Sequence, residues 1–162
     1  MNSPRPKLND KIDSDKTDIV KQIVKTLTDI KVEVGLKDYP IRTLVKEAEE
    51  FGKHIKGRGL KTNQIRKFLD TVNRLKVEIK VQIKNKTIDS GGIILTDLPK
   101  IDAELVLLKQ KLAYASARQD AIKPLKEVMD AAIDKVKDSD DFERFFQLIE
   151  SIIAYHKAAG GE

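Results

Sequence analysis

Apolar side chains recur three and four positions apart over most of this chain, the spacing that gathers them on one face of an α-helix. Ile19, Val20, Ile23, Val24, Leu27 and Ile30 mark a first helix over residues 17–30, and Gly35 and Pro40 punctuate the connection after it. Pro40 suits the first turn of a second helix, whose stripe is Ile41, Leu44, Val45, Ala48, Phe51 and Ile55 and which Gly57 and Gly59 end. Thr62 reads as the N-cap of a third, because its hydroxyl can accept from an unpaired amide of the first turn. Ile65, Phe68, Leu69, Val72, Leu75 and Ile79 carry that helix to about residue 84.

Residues 85–98 hold Asp89, Ser90, Gly91 and Gly92 and read as a packed loop. Ile93, Ile94 and Leu95 have strand character, but the sequence offers no convincing second strand to receive them. Three further stripes complete the chain. Ile101, Leu105, Leu108, Leu112 and Ala115 form one; Pro124 opens the next, with Leu125, Val128, Ala131, Ala132 and Val136. Asp140 and Glu143 resemble a capping pair ahead of Phe145, Phe146, Ile149, Ile152 and Ile153, and Gly160 and Gly161 act as stop signals. Residues 1–15 carry two prolines and no apolar period, and are expected to be a flexible N-terminal arm. The fold class is therefore all-α: a compact bundle of five to six helices, one domain over residues 16–162, with no internal repeat of solenoid length.

Composition agrees. Of 162 residues, 35% are charged and only 5% aromatic, which suits helical surfaces better than a β-sandwich. The absence of cysteine excludes disulfides, thiolate catalysis and cysteine-based zinc sites. No apolar run approaches the roughly 20 residues that span a bilayer, and the amino end lacks a secretory hydrophobic segment, so a cytoplasmic protein without membrane contact is expected. The net charge of +5 hints at a polyanionic partner, and its distribution matters more than its size.

The stretch GRGLKTNQIRKFL, residues 57–69, sets glycines before a lysine and a threonine at a helix start, as in a phosphate-binding loop. Leu60 separates Gly59 from Lys61 and a helix precedes the stretch where a strand is required, so a nucleotide site is rejected. His54 and His156 are far apart, and Glu50 one turn before His54 gives too few ligands for a metal. Both are read as surface histidines near helix C-termini. Asp138, Asp140 and Asp141 are read as capping residues rather than a cation site, and no catalytic, metal or cofactor site is assigned. The basic cluster is the stronger signal: Lys53, Lys56, Arg58, Lys61, Arg66, Lys67, Arg74 and Lys76 stand against one acid, Asp70. Such a face meets backbone phosphates without reading sequence, and without interleaved aromatics it does not indicate base stacking. The alternative is a helical scaffold or adaptor whose basic face binds an acidic protein partner.

KGRGLKTNQIRKFLDTV, KLAYASARQ at residues 111–119 and FERFFQLIESIIAYHKAAGG at residues 142–161 resemble, in order, blocks of the small helical subunits of type III-A CRISPR-Cas (Csm) effector complexes. Ala117 and Ser151 depart mildly from the pattern. The resemblance implies a non-catalytic subunit in antiviral defence that stacks with copies of itself, head to tail or as a dimer, and with other subunits beside guide RNA and target RNA. Carried onto this chain, it nominates Lys53, Lys61, Arg66, Lys67 and Arg118 as RNA contacts, with Asn63 and Gln64 adding hydrogen bonds to phosphate or ribose. Tyr114, Tyr155 and His156 match the pattern as well and are read as packing residues with a polar tip at the surface.

Overall fold

The computed structural model describes residues 8–85 and 92–162, with side chains from Ile19 onward. Six α-helices are present among them: α1 (Leu8–Asp29), α2 (Ile41–Gly57), α3 (Thr62–Asn85), α4 (Pro99–Arg118), α5 (Lys123–Ile133) and α6 (Ser139–Ala158). The stripes read from the sequence face one shared core, with Ile23, Leu27, Leu44, Phe51, Ile65, Leu75 and Phe145 almost wholly enclosed. Helix α6 lies against α2 and α3, and α5 lies against α1 and α4, so each late helix closes two earlier ones.

Helix α1 starts at Leu8, ahead of the residue-17 boundary that periodicity sets, because apolar spacing registers only the length that packs. Among the described side chains, core contact begins at Ile19 and Val20; the first seven residues of the expected arm lie outside the described residues. Residues 86–91 of the expected loop also lie outside them. The rest of that loop is packed as expected: Ile93 and Leu95 are buried, and Ile94 forms a single antiparallel bridge with Asp138. The Leu95 amide donates to Lys137 and the Ser139 amide to Ile93, both at 2.8 Å.

Two caps differ from expectation. Thr62 is the first residue of α3, not its cap; the Gln64 side chain turns back to accept from the Lys61 amide at 3.0 Å, and the Thr62 amide donates to Glu162 at 2.6 Å. The Thr62 hydroxyl is buried without a hydrogen-bond partner among the described residues. At α6 the reciprocal pair is Asp138 and Asp141 rather than Asp140 and Glu143: Asp138 accepts from the Asp141 amide at 2.8 Å, and Asp141 from the Asp138 amide at 3.3 Å. Asp141 wins that role because it is buried and also accepts from the amides of Lys37, at 2.8 Å, and Lys137, at 3.0 Å. Gly35 makes room for it, since a Cβ there would lie 2.4 Å from the Asp141 carboxylate at a φ of +83°.

A second polar knot joins α1 to α2. Glu47 is buried and accepts from the Tyr39 hydroxyl, from Thr26 at 2.9 Å and from Gln22 at 3.4 Å. The Arg144 guanidinium donates to the Tyr39 carbonyl, and the buried Lys135 ammonium donates to the Thr28 and Ile30 carbonyls at the end of α1, where a helix favours positive charge.

Candidate nucleic-acid interface

The basic stretch opens at the α2–α3 turn, which the far end of the chain holds in place. Gly59 takes a φ of +82°, Leu60 is buried, and the His156 ring donates through Nε2 to the Leu60 carbonyl at 2.6 Å. His156 is thus fully enclosed, with its polar tip on backbone rather than at the surface, and His54 is buried as well, 6.2 Å from the Phe51 ring. Both surface readings are corrected: His156 lies where α6 approaches α2 closely, and His54 lies beside Val20 and Lys21 of α1 and Pro124 of α5. Among the described residues no three His, Asp or Glu side chains group as metal ligands. Tyr155 is half-buried against the core, as a packing residue should be.

With the turn fixed, Lys61 and the first turn of α3 face the last turn of α4. Lys61 just before α3 and Asn63, Gln64 and Lys67 within it, with Tyr114 and Arg118 from α4, line an open groove of about 650 Å³. Two of the three sequence blocks therefore converge on one surface. Gln64 is committed at both ends, to the Lys61 amide and to the Gln119 side chain, so its role is to hold the two walls together.

Ion pairing sorts the remaining cations. Lys53 pairs with Glu49 at 2.8 Å, which holds its ammonium above the ordinary lysine value; Arg74 pairs with Glu78 and Glu104, and Lys76 with Glu143. Lys61, Arg66, Lys67 and Arg118 make no ion pair among the described residues and stand exposed. Lys53 and Arg66 do not line the groove. A smaller hollow of about 280 Å³, lined by Lys21, His54, Arg58, Lys123 and Glu127, brings Lys21 and Lys123, cations outside the basic cluster read from sequence, beside Arg58. Its Lys123 is held 2.7 Å from Asp120, whose carboxyl falls below its ordinary value beside Lys123 and Arg58.

Tyr114 also differs from its sequence reading as a packing residue. It is 67% exposed, with its hydroxyl accepting from Arg118 at 3.2 Å. The signal was present: Tyr114 falls two positions past the buried Leu112, about 200° around the helix, and one turn before Arg118.

Among the described residues no helix is long and apolar enough to cross a membrane. No match is found among curated proteins or among solved structures. The family model described as Csm2 Type III-A matches residues 38–162, a span that takes in the groove and five of the six helices. The chain belongs to the Csm2 Type III-A family, the small subunits of type III-A CRISPR effector complexes.

Proposed function

We propose that this chain is a non-catalytic small subunit that binds the backbone of guide RNA and target RNA, independently of sequence, through the groove between α3 and α4. The observation that carries this reading is the meeting of Lys61 and Lys67 with Arg118 on one open surface, none of them neutralised by an acid among the described residues. Lysine and arginine on phosphate fix position without reading bases, which suits a subunit that must accept any target while base pairing reads its sequence. Arg66, exposed on the same helix, extends the positive field, and Lys53 contributes less because Glu49 already holds it. Contacts with other subunits, with further copies of the chain and a cytoplasmic setting belong to this reading through the family. Replacing Lys61 and Lys67 by alanine should weaken association with single-stranded RNA at least tenfold while far-UV circular dichroism stays unchanged. Undiminished RNA binding removes the groove from the RNA path, and equal displacement by polyglutamate favours an adaptor for an acidic protein.

A further inference from the structure

Tyr114 is the most exposed large apolar side chain among the described residues, and it lines the groove that holds Lys61, Lys67 and Arg118. Its ring has one side-chain partner: Arg118, one turn later, donates to the hydroxyl at 3.2 Å, and the guanidinium carbon lies 5.6 Å from the ring centroid. A tyrosine has only two side-chain torsions to order, so it presents a flat face at little cost in conformational entropy. We propose that Tyr114 and Arg118 form a stacking platform for an unpaired nucleobase, so that the groove takes RNA as a single strand; this rests on the RNA reading above.

The surroundings select that ligand. Around the ring the groove sets Lys61, Lys67 and Arg118, with Asn63 and Gln119, beside the apolar Ala115 and Ile122, so cations and amides stand next to an apolar floor. An apolar partner would find a better seat at the other end of α3, where Val77, Val81, Leu98 and Ile101 line a hollow of about 400 Å³. What fits beside Tyr114 carries negative charge and a π-face in adjacent units, and a nucleotide has both. Every base has such a face, so stacking adds affinity without adding sequence preference. Bases inside a duplex are covered above and below by their neighbours, so only a single strand, a strand end or an extruded base can occupy the platform.

The test uses the full chain and a single-stranded RNA oligonucleotide carrying 2-aminopurine, free or annealed to its complement. Binding of the single strand should quench the fluorophore. Tyr114→Ala should abolish the quench and weaken binding about tenfold, within the range expected for one base stacked on an aromatic ring. Tyr114→Phe should restore both, and the annealed duplex should show no quench. Because Tyr114 is exposed, its removal leaves the core untouched, and circular dichroism checks this. A Tyr114→Ala protein that binds and quenches like the parent overturns the platform, as does equal quenching by the duplex. If Lys61→Ala with Lys67→Ala weakens binding while Tyr114→Ala does not, the backbone reading stands and the platform falls. If none of these changes weakens binding, both fall; displacement of the RNA by polyglutamate that Tyr114→Ala weakens as much as RNA binding assigns the ring to a protein partner.

Discussion

Asp138 does two jobs that substitution can separate. Its carboxylate caps α6 through the Asp141 amide and pairs with the Lys37 ammonium. Burial alone would raise its pKa, but the hydrogen bond from Lys37 and the amides of Asp141 and Asp140 bring it below the ordinary carboxylate range. The hydrogen bond to Asp138, against a smaller cost of burial, raises that of Lys37. A lowered carboxyl pKa in the folded state means stability that is present above about pH 4 and lost as pH falls through the folded value; a raised ammonium pKa means stability present below about pH 10 and lost as pH rises. Asp138→Asn keeps a good cap but not the charge, so its urea midpoint should trail the parent's between those limits and converge with it in acid. Asp138→Ala should lose the cap at every pH, about 1 kcal/mol. Tyr39 makes a sharper case. Burial first, and then the hydrogen bond to Glu47, push its hydroxyl far above the ordinary tyrosine value, so it donates throughout the working range. Tyr39→Phe leaves a buried carboxylate short of a donor, and urea denaturation should show a loss of about 1–3 kcal/mol.

Between elements, two glycines with opposite surroundings predict opposite penalties. A Cβ at Gly52 would sit 2.7 Å from the His156 amide nitrogen and 2.9 Å from the Tyr155 backbone, so Gly52→Ala must push α2 and α6 apart, at about 1–3 kcal/mol or more. Gly59 has a φ of +82° but nothing within 4 Å, so Gly59→Ala should cost only backbone strain, about 1 kcal/mol, by the same thermal or urea measurement. The close approach at Gly52 also explains a limit on sequence reading. Spacing of Leu44, Ala48, Phe51 and Ile55 revealed the face of α2 that packs, yet Gly52 and His54 in the same helix gave no sign that α6 would cover the first, or that the second would be buried beside α1 and α5. Caps were harder still. Thr62 and Asp140 satisfy the local rule as well as the residues that won, and the choice was shared between a neighbour, Gln64 reaching back to Lys61, and distant partners: Glu162 at α3, and the amide of Lys37 at α6. Local chemistry proposes several caps; tertiary packing selects one.

At the scale of the whole molecule, the sequence showed an excess of positive charge over residues 53–76 but not which part of it was available. Arg74 and Lys76 are neutralised by Glu104 and Glu143, acids far along the chain that only folding brings to them. Arg118 joins Lys61 and Lys67 because α4 runs back beside α3, a contact that no local spacing encodes. This sorting has a measurable consequence in salt. Each phosphate neutralised on a single strand contributes a slope of about −0.7 to log affinity against log salt, so three groove cations predict about −2 for the parent chain. Lys61→Ala with Lys67→Ala should flatten the slope to about −0.7, whereas Lys53→Ala, removing a cation already shared with Glu49, should flatten it far less. Tyr114→Ala should lower affinity and leave the slope unchanged, because stacking releases no counterions. Anisotropy titrations of a labelled RNA at several potassium chloride concentrations separate the two contributions. A steep slope that survives the double substitution would place the phosphates elsewhere, with Lys21, Arg58 and Lys123 around the smaller hollow the next cations to remove.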